Sequence, residues 1–262
     1  MERYGTFINV DGDRLKAVRT APANYESSVV DMLKHISRSK VGYYVFNAIK
    51  KTGKQVLIRP GQTDMATDQN PIIMWKQPYI VNLICEMGSW ECPAEMLEDV
   101  IAMPHRFGDV FIFFRPDHPI RPFLPRSLFR GLPGEILKKL FPYDKDPRWK
   151  AEDILLHELF HALRMLAIPD WKKQTHTRLP GPFVHVEELY AILVTNMYVS
   201  ERGRDNELRG SWSADYEVLD SNDLKIRLDY GLYLTRLEAQ MPELTSQLRA
   251  LPTKFNPFRI QI

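Results

Sequence analysis

Apolar and polar residues follow one another along the chain with two periods, one typical of short strands and one typical of helices. Short runs of β-branched and aromatic residues bounded by turn residues predict strands, and apolar residues repeated every three or four positions predict helices. The predicted strands cover residues 7–10, 55–59, 79–85 and 109–114, and the predicted helices cover residues 23–37, 41–50, 147–167, 185–202 and 221–241. This order of elements predicts an α+β fold with a small mixed sheet.

The segments between these elements are polar or rich in proline. Residues 65–78 are polar and punctuated by proline, which predicts a loop, and residues 93–103 predict a short helix or turn. Residues 115–134 are rich in proline and arginine, which predicts a solvated connecting loop or, alternatively, a segment that frames a cleft and selects acidic substrates. We expect one domain over residues 1–262, with a sheet-containing part up to residue 145 and a helical part after it.

Composition allows a sizeable core and gives no indication of a nucleic-acid or membrane partner. Hydrophobic residues make up 44% of the 262 residues, and the formal net charge is only +2. Two cysteines are too few for a disulfide framework, which suits folding in a reducing cytosol. The chain shows no apolar run long enough to cross a bilayer and no apolar segment of a secretory signal near its first residue, so we expect neither a membrane span nor a Sec signal.

The helix predicted over residues 147–167 is apolar around most of its circumference. Asp146 and Pro147 predict its start, as an N-cap followed by a proline in the first helical position. Pro169 predicts its end, because a proline disfavours helical backbone at the residue before it, Ile168. Its apolar residues are Ile154, Leu155, Leu156, Leu159, Phe160, Leu163 and Leu166. A helix of this kind is expected to be buried.

The same helix contains a His-Glu-x-x-His motif, which begins at His157 and ends at His161. Histidines four residues apart project from one face of a helix and can bind one metal ion together, and Glu158 can accept a proton from water activated by that ion. The motif predicts a metallopeptidase with one zinc ion (Zn2+) per chain. The alternative is a pair of hydrogen-bonded core histidines, with Glu158 paired to a basic residue such as Arg164.

A catalytic zinc site needs a third protein ligand. The metzincin continuation of the motif would require glycine and histidine where this chain has Arg164 and Ala167, so that continuation is excluded. The helix predicted over residues 185–202 offers Glu187 and Glu188 instead. Adjacent helical residues point about 100° apart, so only one of the two glutamates can bind the metal, while the other orients a ligand or the helix packing. Two further histidines, His176 and His185, are alternative ligands.

With these residues the chain resembles the gluzincin-type zincins, in particular the clostridial neurotoxin light chains and bacterial type III effector proteases. The resemblance rests on His-Glu-Leu-Phe-His followed by Glu-Glu-Leu-Tyr and is local. It implies a zincin-like fold with an active-site helix and a second, ligand-bearing helix. It also implies that Glu187, the first glutamate of the pair, is the zinc ligand, with Glu188 as the second-shell residue or alternative ligand.

The resemblance extends to groups around the metal. It implies an Arg-x-x-Tyr pair late in the chain that stabilises the oxyanion, and Arg227 and Tyr230 have that spacing. Tyr190 and Tyr198, on the predicted ligand-bearing helix, are alternative candidates for the same role. Zincins carry an edge strand above the metal helix that pairs with extended substrate. The resemblance suggests residues 110–114 for this role, although their continuous apolar character fits an internal strand equally well.

These observations predict a zinc-dependent endopeptidase that acts on a protein or peptide and has no nucleic-acid partner. A zinc amidase acting on cell-wall or other non-protein amides is a second interpretation, and a non-catalytic binding domain with a vestigial motif is a third. The resemblance implies a bacterial effector or toxin, involved in virulence, that folds in the bacterial cytoplasm and is secreted or injected into a target cell without a Sec signal.

Overall fold

The computed structural model of the chain describes residues 2–12, 24–60, 72–75, 110–114, 150–168, 179, 186–209 and 223–259. Within these ranges the strands are β1 (Glu2–Tyr4), β2 (Ile8–Val10), β3 (Val56–Pro60), β4 (Ile72–Trp75) and β5 (Val110–Phe114). The helices of the same ranges are α1 (Tyr25–Ser37), α2 (Lys40–Lys51), α3 (Ala151–Ala167), α4 (Val186–Glu201), α5 (Asp223–Gln240) and α6 (Pro242–Arg249), with a 3-10 turn at Asp205–Glu207. The predicted α+β class is confirmed.

The strands form one mixed sheet in the order β1-β2-β3-β5-β4. Strands β2, β3 and β5 are parallel to one another. Strand β1 pairs antiparallel with β2, and β4 pairs antiparallel with β5. Helices α1 and α2 connect the parallel neighbours β2 and β3, as a crossover between parallel strands requires. The small mixed sheet predicted from the sequence is therefore present.

Strand β5 lies between β3 and β4, so the suggestion that residues 110–114 form an edge strand was wrong. Ile112 and Phe114 are buried in the core, in keeping with the continuous apolar run of this strand. The end of the sheet beside β5 is formed by β4, which falls inside the loop predicted over residues 65–78. The strand has only four apolar residues, and they lie within a longer polar and proline-containing segment. This context conceals the strand in the sequence.

Helix α3 occupies the centre of the described structure. It packs against β4 and β5 on one side and against α1, α2 and α4 on others. Its apolar residues are buried around most of its circumference, which confirms the prediction of a buried helix. The helix ends at Ala167 as predicted, and the extended backbone of Ile168 (φ −110°, ψ 109°) precedes Pro169.

The start of α3 differs from the prediction, because its first helical residue is Ala151 rather than Pro147. Residues 146 and 147 lie outside the described residues. Asp153, in the first turn, accepts a hydrogen bond from the backbone N–H of Lys150 at 2.6 Å. A carboxylate in this position satisfies a free amide and complements the helix dipole.

The remaining helices match the predicted ranges within a few residues. Helix α4 is followed by Gly203 with a positive φ of 75°, the left-handed conformation that favours glycine after a helix. Pro242 begins helix α6, since proline at the first helical position has no amide to leave unpaired. The predictions for residues 79–85, 93–103 and 115–134 lie outside the described residues. None of the described helices is long and apolar enough to cross a membrane.

A buried ion pair joins the start of α3 to the segment after α4. Both guanidinium Nη atoms of Arg204 donate to the carboxylate of Asp153, which is fully buried, and Arg204 also donates to Glu207 at 2.8 Å. We expect Asp153→Ala to lower the free energy of unfolding by about 3 kcal/mol, because it leaves Arg204 with one partner and removes the cap on Lys150. Urea unfolding followed by circular dichroism measures this loss. An unchanged midpoint would mean that the pair contributes nothing to stability.

Candidate metal centre

Helices α3 and α4 lie side by side and antiparallel. Arg164, near the end of α3, contacts Glu187 at the start of α4, whereas Asp153, near the start of α3, contacts Arg204 beyond the end of α4. The contacts of His157 and His161 with Glu188 place this part of α3 beside the first turn of α4. The histidine pair of α3 and the glutamate pair of α4 consequently meet across the interface between the two helices.

Three metal-binding side chains converge at this point. The Nε2 atoms of His157 and His161 lie 3.0 Å apart, and the carboxylate oxygens of Glu188 lie 3.4 Å from the first and 3.3 Å from the second. His157 is fully buried, whereas His161 and Glu188 are partly exposed. Side chains of these types, with one donor atom each directed to a common point, form a typical half-open metal site.

The spacing of the donors fits a zinc ion. Zinc binds imidazole nitrogen at about 2.0–2.1 Å and carboxylate oxygen at about 2.0–2.2 Å with tetrahedral geometry, so two ligand atoms lie about 3.3 Å apart. The two histidine nitrogens lie 3.0 Å apart, and Glu188 approaches them with different oxygens, Oε2 at 3.4 Å from His157 and Oε1 at 3.3 Å from His161, so each separation is close to one edge of such a tetrahedron. In addition, Glu188 Oε2 is buried and has no hydrogen-bond partner among the described residues. A cation at this point would satisfy that oxygen.

The two adjacent glutamates face different partners, and their positions differ from the expectation that Glu187 reaches the histidines. Glu187, expected to be the ligand, is buried and pairs with Arg164, whose Nη2 and Nε donate to its two oxygens at 2.8 and 3.2 Å. Glu188, expected as the alternative, is the residue that reaches the histidines. The physical reason is the rotation of α4, because a helix that directs Glu187 towards Arg164 must direct Glu188 about 100° away from it.

Glu158, the candidate base, follows His157 on α3 and is only 6% exposed. Burial raises the pKa of its carboxyl group to about 8, with the positive charge of His161 opposing that shift and the negative charge of Glu188 adding to it. Glu158 is therefore a buried carboxyl group on the histidine-bearing helix that interacts electrostatically with His161 and Glu188. The alternative interpretation of the motif gave Arg164 as an example of a basic partner for Glu158, and Arg164 is bound to Glu187 instead.

The electrostatics of the three side chains fit a cation site. Burial lowers the pKa of His157 to about 4, although the nearby carboxylate of Glu188 acts in the opposite direction. Burial also acts to lower the pKa of His161, but the negative charges of Glu188 and Glu158 outweigh it and raise the pKa to about 9. Burial acts to raise the pKa of Glu188, and the charge of His161 outweighs it and holds the pKa well below its usual value. The site therefore contains a neutral His157 and an ionised Glu188, the forms that bind metal, whereas His161 would release its proton when a metal binds.

The candidate oxyanion stabilisers lie in different places. Tyr230 is buried on α5, and Arg227 lies on the same helix with its side chain outside the described part. The hydroxyl of Tyr190 donates to the backbone carbonyl of Tyr233 at 2.8 Å, so it is engaged in joining α4 to α5. Tyr198 lies near the first turn of α3, where burial and the charge of Glu152 raise its pKa. The alternative metal ligands, histidines 176 and 185, lie outside the described residues.

One residue near the site was missed by sequence reasoning. Arg209 is buried, and its charge contributes, as one of the smaller influences, to the lowered pKa of His157. Its backbone N–H donates to Asn196 Oδ1 at 3.0 Å, and its carbonyl accepts from Asn196 Nδ2 at 2.7 Å, which attaches this segment to α4. An isolated arginine after the predicted helix carries no sequence signal that would have indicated this position.

A separate cavity of about 490 Å³ lies between α2, the end of α3 and the junction of α5 with α6. Leu163, Leu166 and Met241 form part of its wall, together with Lys51 and Lys54. Neither the histidine pair nor Glu188 lines it. We therefore place the candidate chemistry at the side-chain cluster between α3 and α4 rather than in this cavity.

Comparison of the chain with protein-family models, with curated proteins and with solved structures found no match. The assignment of a function consequently rests on the residues of the site and on their geometry.

Proposed function

We propose that this chain is a zinc-dependent endopeptidase with a zincin-like fold, in which His157, His161 and Glu188 hold one zinc ion. The observation that carries the proposal is the convergence of these three side chains, with the histidine nitrogens 3.0 Å apart and a carboxylate oxygen of Glu188 within 3.4 Å of each, on a helix that also carries the buried Glu158. Three protein ligands on a half-open site are typical of catalytic zinc, whereas structural zinc sites are closed by four.

The roles of the residues follow from this arrangement. A zinc ion bound at the site supplies Lewis acidity towards a carbonyl group and makes water acidic enough to be deprotonated near neutral pH. The pKa of Glu158, which burial raises, would be lowered by a bound zinc ion, and the ionised carboxylate would then accept the proton of the attacking water and later deliver it to the leaving amine. His157 and His161 are fixed by the same helix that carries Glu158, so the base and two ligands keep constant relative positions. Glu188 supplies the negative charge that balances the metal.

The sheet supports a peptide as the substrate. Strand β4 is antiparallel to its neighbour β5, packs against α3 and has no second neighbouring strand among the described residues. An unpaired strand edge binds extended peptide backbone by adding it to the sheet. This supports an endopeptidase more than an enzyme for compact amides, which would need a closed pocket.

Helix α5 is the proposed source of the oxyanion stabiliser. It is held against α4 by the hydrogen bond of Tyr190 to the carbonyl of Tyr233, and Tyr230 precedes that carbonyl by about one turn. Arg227 and Tyr230 thus lie on the helix that adjoins the ligand-bearing helix, and a donor from either would stabilise the developing negative charge. The further proposal of a bacterial effector or toxin rests on the resemblance of the motifs alone.

The proposal is tested by the zinc content of protein purified without a chelator or a metal-affinity tag. We expect elemental mass spectrometry to find about one zinc per chain, with loss of the metal in His161→Ala, since that change removes one of three ligands. The zinc-loaded protein is then incubated with a peptide library, and new amino termini are identified by mass spectrometry. Absence of zinc after incubation with the metal at neutral pH would contradict the proposal.

A further inference from the structure

A buried ion pair lies next to the candidate metal site and takes no part in the proposed chemistry. Arg164 stands three residues after His161 on α3, and its guanidinium group is fully buried. Both oxygens of Glu187 accept from it, and its Nη1 donates to Gln240 Oε1 on α5 at 2.7 Å. The guanidinium carbon also lies 5.0 Å above the ring of Tyr190. Arg164 therefore connects the histidine-bearing helix to α4 and α5 at once.

The two-point contact fixes how α4 is rotated about its axis. Glu187 and Glu188 are consecutive and project about 100° apart, so a rotation of that size would exchange their positions. A guanidinium group bound through two parallel hydrogen bonds accepts a carboxylate in one orientation, which a single point charge would not do. With Glu187 held in this way, Glu188 is directed to the histidines.

We propose that Arg164 and Glu187 are positioning residues that fix the rotation of α4 and thereby set the zinc affinity of Glu188, without touching the metal. The inference rests on the proposed zinc site and adds a determinant of its geometry. A buried pair is weak evidence of stability, since apolar residues of similar size often replace one without loss. The better established effect of a buried ion pair is to select one packing arrangement of the helices among several of similar stability.

The same reasoning supplies a variant that should remain folded. Removing one partner leaves an uncompensated buried charge, whereas the double change Arg164→Met with Glu187→Leu removes both charges and retains apolar volume. We expect the double variant to bind zinc roughly 10- to 100-fold more weakly than the unchanged chain, the range found when groups that orient metal ligands are lost. Dissociation constants are measured by competition with a chromophoric chelator, and folding of the metal-free proteins by thermal unfolding.

Arg164→Lys provides the second variant, which keeps the charge and loses the two-point contact. We expect it to weaken zinc binding as well, by less than the double variant. Asp153→Ala is the matched control, because it breaks the other buried ion pair at the interface of α3 and is expected to reduce stability while leaving zinc affinity within about threefold of the unchanged chain. A general loosening of the helix pair would weaken zinc binding in this control too.

The outcomes separate the two proposals. If the unchanged chain binds no zinc, the proposed function fails and the inference falls with it. If the unchanged chain binds zinc and folded Arg164→Lys and double variants bind it equally well, only the inference is overturned. Equal weakening in Asp153→Ala would also overturn it. Should the double variant fail to unfold cooperatively, Arg164→Lys decides alone.

Discussion

Glu158→Gln is expected to abolish hydrolysis while leaving the zinc content unchanged. Glutamine has nearly the shape of glutamate but cannot accept a proton at neutral pH, so the change removes the base and retains the metal ligands. We expect turnover to fall by roughly 100- to 10,000-fold, the usual contribution of a positioned general base. The measurement combines zinc content with the rate at which new amino termini appear in a substrate identified from the peptide library.

A matched control is available on the same helix. Glu152 lies six residues before Glu158 and pairs with the ring of His35 rather than with the histidine pair of the site. Glu152→Gln is the same chemical change at that position, and we expect it to leave turnover within about threefold of the original value. Full activity of zinc-loaded Glu158→Gln would eliminate Glu158 as the base and with it the proposed mechanism.

The parts of the fold that sequence predicted well are those with long, regular patterns. Helix α3 was predicted because its apolar residues surround the helix and because Ile168 precedes a proline, and its observed end agrees. The start of α3 was predicted four residues too early, because Asp146 and Pro147 form a typical helix start. In the structure, the carboxylate that accepts from the backbone N–H of Lys150 is that of Asp153. Local capping signals compete with one another, and only packing decides between them.

Short elements were predicted less well because four residues carry little periodicity. Strand β4 has four apolar residues in a segment that otherwise resembles a loop, and its pairing with β5 is a contact between distant parts of the chain. That pairing also decides that β5 is internal, a property that the residues of β5 alone left open. Edge and internal positions belong to the whole sheet, so a single strand cannot specify them.

The candidate site, like the fold, could be predicted from the sequence only in part. The histidine pair could be predicted because both residues lie on one helix at a spacing that fixes their mutual geometry. Which of the two glutamates faces the histidines could not be predicted, because it depends on the rotation of a second helix, and that rotation is associated with the contact between Arg164 and Glu187. Nothing in Val-Glu-Glu-Leu distinguishes its two glutamates until Arg164 is seen opposite one of them.

Glu188→Ala is expected to remove most of the zinc affinity of the chain. Structural zinc sites with four ligands bind with about 10–16 kcal/mol, or roughly 2.5–4 kcal/mol per ligand, so losing one ligand should weaken binding by roughly 70- to 900-fold. Glu187→Gln should weaken binding less, because this residue orients the helix and does not reach the histidines. The dissociation constants of both variants are measured by the same chelator competition.

The comparison decides which glutamate is the ligand, since the two residues are adjacent and chemically identical. Glu188 is 3.3 Å from His161 Nε2, whereas Glu187 is engaged by Arg164. Glu188→Ala removes a partner of the histidines, so thermal unfolding of each metal-free variant is needed to separate weakened binding from loss of the folded state. A larger loss of zinc affinity in folded Glu187→Gln than in folded Glu188→Ala would restore Glu187 as the ligand. That result would require α4 to rotate when the metal binds, with the contact between Arg164 and Glu187 broken.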